Sequence, residues 1–252
     1  MLLFSLNFTS YYLAFRGRIK EALNTEMRVF IGIVIIAISF ITLNLCLTNT
    51  PLYVMSGEVG ANADYSVGEA IKHVAFSVAS VVSTTGFATA DFALWPAFSQ
   101  TVLVLLMFIG ACAGSTGGGM KVSRVIILYK GASHEMKRML HPKQVKKITM
   151  DGHVVEHEVV RGINVYLIAY ILIFVVSMLL ISLDCKDWTT NFTSVVATLN
   201  NIGPALGEVG PSGNFAGFNV LSKLVYIFNM LAGRLELFPM LMLFSPRAWK
   251  KS

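Results

Sequence analysis

Two stretches of this chain are both charge-free and strongly apolar over the full length needed to cross a bilayer: Val29 to Leu47 and Gly162 to Leu183. A spanning helix needs about 20 consecutive apolar residues. A soluble fold would have to bury both stretches, and the remainder of the chain offers little polar surface to cover them. Of 252 residues, 55% are hydrophobic and 13% are charged, against about 25% charged in a soluble domain. That balance argues against a soluble enzyme and excludes disorder, which needs low hydrophobicity and high charge. Cys46, Cys112 and Cys185 lie far apart in or beside apolar stretches. They have no metal-ligand spacing and read as small buried hydrophobes.

Two further apolar segments are shorter or decorated. Pro96 to Gly110 runs into a glycine-rich stretch, and Val220 to Phe244 is interrupted by Lys223, Arg234 and Glu236. Met1 to Ala14 is apolar too, but a 14-residue helix is only about 21 Å long. Arg16, Arg18 and Lys20 follow it rather than precede it, the wrong order for a signal peptide. It reads as the tail of a preceding helix.

The basic residues are sorted. Sixteen of the twenty Lys and Arg fall in three places: before the first span, between Lys121 and Arg161, and after Arg247. By the positive-inside rule these regions are cytoplasmic, so the net charge of +6 is a topology signal and calls for no nucleic acid. The two connections assigned outside hold Glu58, Asp64, Glu69, Asp91, Asp184, Asp187 and Glu208, an acidic face that would concentrate cations.

Each outer connection contains a second apolar segment too short to span. Glu69 to Ser83 is followed by Thr84, Thr85, Gly86 and Phe87, and Asn191 to Asn200 by Asn201, Ile202, Gly203 and Pro204. The chain therefore reads as span, half-helix, glycine turn, span, and then repeats. Internal repetition of this kind marks transporters and channels. Non-helical backbone at membrane depth is tolerated only where protein or water satisfies it. Such a loop can aim carbonyl oxygens at a dehydrated alkali cation. The fold class expected is an all-α membrane protein of two channel-like repeats, each a transmembrane helix, a re-entrant pore helix with filter loop, and a transmembrane helix. The domains expected are residues 1–27, the end of a preceding helix and a linker; 28–130, the first repeat; 131–161, a cytoplasmic hairpin loop; and 162–252, the second repeat.

Gly110 to Gly119 places five glycines in ten residues, each costing a helix up to about 1 kcal/mol relative to alanine, so the second span breaks there. The stretch nearly fits a phosphate loop, but Met120 displaces Lys121 by one place and Val122 stands where Ser or Thr belongs; a nucleotide site is rejected. Arg234, midway along the last span, costs at least about 2.5–3.5 kcal/mol at the bilayer centre. It should face the interior or a watery cavity, with carbonyls of the broken segment as partners. Glu236, two places on, points to nearly the opposite face. In the polar segment, Asp151-Gly152 is a two-residue hairpin signal. On a strand, His153 and His157 would stand more than about 13 Å apart, too far to share one metal.

The motifs STTGFATADFALWP (83–96), GACAGSTGGGMKVSR (110–124), NNIGPALGEVGP (200–211) and MLAGRLELFPML (230–241) resemble the Trk/Ktr/HKT family of potassium transporters, with the Trk-type membrane subunit, in its C-terminal half, as the nearest pattern. The resemblance implies four fused channel-like units around one pore, each giving one filter strand. Thr84, Thr85, Gly86 and Phe87 would form the third strand and Asn201, Ile202, Gly203 and Pro204 the fourth. Gly114, Ser115, Thr116, Gly117, Gly118, Gly119 and Lys121 would be the gating loop, with Arg234 as its electrostatic partner. It further implies K+ transport across the bacterial inner membrane, K+ as cargo with no cofactor in this chain, no enzymatic reaction, and a TrkA-like nucleotide-binding regulatory subunit on the cytoplasmic face. The partners expected are the lipid bilayer and either a second copy or an assembly supplying further repeats. Two alternatives stand beside this reading: a half-length subunit that conducts only when assembled, and a Na+-permeable relative.

Overall fold

The computed structural model describes residues 1–55, 66–141, 147–235 and 240. Both charge-free runs are long helices. Helix α4 (Thr25–Thr48) starts at Asn24, whose side chain accepts the Met27 N–H at 2.9 Å, and ends at Asn49 in the left-handed region. Helix α8 spans His157–Ile181. These are the two helices among the described residues long and apolar enough to cross a membrane, and only 33% and 22% of their most apolar stretches are buried against the rest of the chain. Ile31, Ile35, Phe40, Leu43 and Leu47 on α4, with Val165, Ile168, Leu172, Val176 and Leu179 on α8, are exposed. Left in water, ten such side chains would forgo roughly 15–30 kcal/mol of burial, more than the whole net stability of a typical domain. A bilayer removes that penalty, and both helices have the length and apolar composition to cross one.

The short helices α1 (Leu2–Ser5), α2 (Phe8–Phe15) and α3 (Ile19–Ala22) precede α4. The apolar N-terminal stretch, read from sequence as one helix tail, is thus broken at Leu6–Asn7. Asn7 caps α2 by accepting the Thr9 N–H at 2.8 Å, and that cap competes with a continuous helix.

In the first repeat α4 is followed by α5 (Val67–Val82), α6 (Ala97–Phe108) and α7 (Val122–Leu140). In the second, α8 is followed by α9 (Trp188–Leu199) and α10 (Val220–Arg234). Helix α5 starts with a reciprocal capping box between Ser66 and Glu69, and α9 with Asp187 accepting the Thr189 N–H. The half-helices pack against their own repeat, α5 on α4 and α6, α9 on α8 and α10, while α6 touches α9 across the seam. Phe108 of α6, Phe174 of α8 and Phe192 of α9 form the aromatic contact there, with ring centroids 5.5–6.3 Å apart. The main core joins Ile41, Leu45, Val74, Val78 and Phe92 to Val196, Ile202 and Leu206 of the second repeat.

The Asp151-Gly152 turn forms as expected, with both residues at positive φ (50° and 83°). It joins strands β1 (Thr149–Met150) and β2 (His153–Val154). The hairpin is shorter than a strand carrying both His153 and His157 would be, since His157 already belongs to α8. Helix α7 likewise continues through Leu140, into the segment read as cytoplasmic loop. Cys46 is half-buried and Cys112 buried, but Cys185 is exposed at a left-handed turn after α8.

The described outer acids have structural partners. Glu69 completes a capping box and Asp187 caps α9. Asp91 is buried and accepts from the Ala93 N–H and Ser212 hydroxyl. Asp184 binds Asn219, and Glu208 pairs with Lys186 at 2.7 Å. Glu58 and Asp64 lie outside the described residues.

Candidate ion pathway

The two half-helices end in the same way, bond for bond. In the first, the Thr84 N–H donates to Val81 and the Thr85 N–H to Ser80; in the second, Asn201 donates to Thr198 and Ile202 to Ala197. This is a Schellman cap, which requires a left-handed residue just past the helix. Thr84 (φ 54°) and Asn201 (φ 56°) occupy that position. Two residues later Gly86 (φ 78°) and Gly203 (φ 109°) turn again. The sequence motifs Thr84–Phe87 and Asn201–Pro204 are therefore equivalent strands with matching kinks.

The strands meet at their glycines. A β-carbon placed on Gly86 would lie 2.4 Å from the Ile202 carbonyl oxygen and 3.3 Å from Pro204 Cδ, and one on Gly203 would lie 3.8 Å from Gly86 Cα. The glycines thus permit a close approach as well as the positive φ. Ile202 is buried, whereas Thr85, Phe87 and Gly203 are exposed.

Beneath these strands, helix α6 stops at Phe108 and α7 starts after Lys121. The intervening loop is pinched at its neck. Gly110 N–H donates to the Met120 carbonyl at 2.8 Å, and Val122 N–H to Ala111 at 3.3 Å. The α1–α2 bend covers another side: Cys112 N–H donates to Ser5, Thr116 N–H to Phe4, and Phe8 N–H to Gly114. Protein groups thereby satisfy backbone that the bilayer could not. At the top of the loop, Gly118 N–H donates to Thr84 Oγ1 at 3.1 Å, a direct link between the loop and the Thr84–Phe87 segment. Lys121 folds back and donates to the Gly117 carbonyl.

Arg234 closes α10. It lines a cavity of about 380 Å³ together with Gly114, Ser115, Thr116, Gly117, Gly118, Gly119, Lys121 and Tyr166. Every residue read from sequence as loop or loop partner thus borders one cavity. Glu236 lies outside the described residues.

Three residues of this site escaped the sequence reading. Asn200 is fully buried; its amide donates to Tyr170 Oη at 2.9 Å and to the Val196 carbonyl at 2.9 Å. Tyr170 is the second, on α8. The third is Gly233, where a β-carbon would fall 1.8 Å from the Leu199 carbonyl oxygen, so α10 can pass the end of α9 this closely only with glycine there. Asn201 secures the crossing by donating to the Met230 carbonyl at 2.8 Å. An Asn-Asn pair after a half-helix was the available signal for Asn200.

Paired half-helices with matched left-handed caps, facing glycines and a glycine loop below them define a channel-like class of all-α membrane protein. Residues 6–251 match the family model TrkH, described as cation transport protein. The Trk system potassium uptake protein TrkH of Escherichia coli K12 is 39% identical over 226 residues, covering 90% of this chain and 44% of that protein. TrkG of the same organism is 32% identical over 251 residues, covering 99% and 48%. The crystal structure of the potassium transporter TrkH from Vibrio parahaemolyticus superposes with a TM-score of 0.84 at 37% identity, over 99% of this chain and 51% of that one. The chain belongs to the TrkH cation transport family, whose members are membrane ion transporters and not enzymes. It spans about half the length of the relatives it matches.

Proposed function

We propose that this chain provides two repeats of a potassium uptake pathway across the bacterial inner membrane. Potassium would shed water at carbonyls of Thr84–Phe87 and Asn201–Pro204, then pass a gate made by Gly114–Gly119, Lys121 and Arg234. The observation that carries this reading is the pair of equivalent kinked strands facing each other at Gly86 and Gly203, with Gly118 bonded to Thr84 beneath. Left-handed residues in register allow successive carbonyls to turn to one side, and carbonyl rings replace the hydration shell of alkali cations. Arg234 in the cavity below sets an electrostatic barrier to a cation that the loop modulates.

Because the chain spans about half of its relatives, two strands would be completed by a second copy or by further repeats. A TrkA-like nucleotide-binding subunit would dock on the basic cytoplasmic face. The test is 86Rb+ uptake into liposomes holding purified protein of measured oligomeric state, with K+ and Na+ as competitors. The proposal expects uptake that K+ suppresses more strongly than Na+. Uptake suppressed equally by Na+ favours the Na+-permeable alternative, and a monomer without uptake favours the half-length subunit that needs further repeats.

A further inference from the structure

The gating loop is held at its neck by a residue from another helix. Glu26, in the first turn of α4, is buried. One carboxylate oxygen, Oε1, accepts the Ala113 N–H at 2.7 Å and the Ser123 N–H at 3.0 Å. Ala113 stands immediately before Gly114, and Ser123 is in the first turn of α7. A single atom therefore joins the residue that precedes the Gly114–Gly119 stretch to the first turn of the helix that follows it.

The local sequence explains the need. The residue at the N-cap of α7 is Lys121, whose side chain makes no cap because an ammonium cannot accept a hydrogen bond. The first N–H groups of a helix are left without intrahelical partners. A carboxylate from α4 supplies the missing acceptor, and its charge suits the positive end of the helix dipole. Hydrogen bonds to an ionised acceptor are stronger than neutral ones.

The clamp is itself anchored. Thr25, the residue before Glu26, donates both its N–H (2.7 Å) and its hydroxyl (2.6 Å) to Asp151 Oδ1 in the hairpin turn. The hairpin is tied in turn to α7 by Lys130, which donates to the Thr149 carbonyl at 2.8 Å. The start of α4 is thus fixed from the cytoplasmic side, and Glu26 meets the loop from a held position. We propose that Glu26 is a positioning residue of the gate, setting where the Gly114–Gly119 loop sits beneath the filter and linking it through Thr25 to the cytoplasmic hairpin. The gating part rests on the function proposed above; the clamp itself does not.

The experiment has two readouts on the full chain. Amide hydrogen exchange is compared at Ala113 and Ser123 in wild type, Glu26→Ala and Glu26→Gln, with α8 as an internal reference. Glutamine keeps an oxygen that can accept both bonds; alanine keeps none. The expected result is exchange faster by about tenfold at both amides in Glu26→Ala and close to wild type in Glu26→Gln, with α8 unchanged. Should Glu26→Ala not fold, Glu26→Met fills similar volume without an acceptor and carries the same comparison. Unchanged exchange at both amides in the acceptor-less variant, or Glu26→Gln exchanging as fast as Glu26→Ala, overturns the clamp. In protein shown to take up 86Rb+, Glu26→Ala should raise resting uptake with the K+ over Na+ preference intact. Uptake unchanged, or raised with that preference lost, overturns the gating role. Wild-type protein without uptake would count against the transport reading alone, leaving the exchange result to judge the clamp.

Discussion

Gly86→Ala is the most informative substitution in the filter. The residue sits at φ 78°, and an L-residue held in the left-handed region costs roughly 1–2 kcal/mol. The added methyl would also stand 2.4 Å from the Ile202 carbonyl oxygen, against an ordinary carbon–oxygen contact above about 3 Å. That neighbour is backbone of the opposing strand, so relief requires one strand to move by about half an ångström or more. The oxygen displaced belongs to the proposed ion path. A change of this size in a coordinating carbonyl predicts uptake reduced at least tenfold, since each 1.4 kcal/mol is a factor of ten. Gly162→Ala is the matched control. Nothing lies within 4 Å of its built β-carbon, and alanine in helix α8 adds up to about 1 kcal/mol of helix stability. The assay is 86Rb+ uptake alongside thermal unfolding in detergent, both in assembled protein. Gly86→Ala should lose uptake and melt lower, while Gly162→Ala keeps uptake and melts no lower. Wild-type uptake in Gly86→Ala would refute the argument that the two strands abut at their glycines.

Arg234→Ala removes one of the two cationic side chains bordering the cavity, the other being Lys121, and should raise cation leak; unchanged flux with normal expression would remove Arg234 from the proposed gate. Asn200→Leu strips the side chain that bonds Tyr170 Oη, leaving that buried hydroxyl unsatisfied at about 1–3 kcal/mol, so the melting temperature should fall more than for Asn214→Leu at an exposed position. Asp151 titrates below its ordinary value of 3.8: burial pushes it up, but the hydrogen bonds from Thr25, with Lys130 and Arg28 nearby, outweigh that. A depressed carboxyl stabilises the fold above its unfolded value and loses that contribution as pH falls through the folded one. The Thr25–Asp151 tether should therefore hold at pH 5–7 and release only below about pH 3.8, read as the protection factor of the Thr25 amide corrected for its intrinsic rate.

Much of this architecture was legible because its signals are local. Charge-free runs marked α4 and α8, and Asp151-Gly152 marked the hairpin. The repeated half-helix and glycine turn marked two segments, Thr84–Phe87 and Asn201–Pro204, whose helix caps coincide bond for bond. What escaped depends on neighbours distant in sequence. Glu26 reads as an ordinary acid in a first helical turn until α7 is found to have a lysine at its N-cap. Gly233 looks like one small residue inside an apolar span until the Leu199 carbonyl is found against it. Asn7 gives a cap signal, but the apolar residues around it outweighed that signal in a reading based on hydropathy. The structural contacts of the outer acids were hidden in the same way: Glu69, Asp91, Asp184, Asp187 and Glu208 each hold a cap, a hydrogen bond or an ion pair that charge patterning alone does not reveal.

The central claim is that the strands at Thr84–Phe87 and Asn201–Pro204 bind the ion together. Anomalous scattering from Rb+ in crystals of the assembled protein tests it most directly. A rubidium peak is expected between the strands, within carbonyl coordination distance of residues from both repeats and above Gly118. Rubidium bound to one strand alone, or only in the cavity beside Arg234, would contradict it.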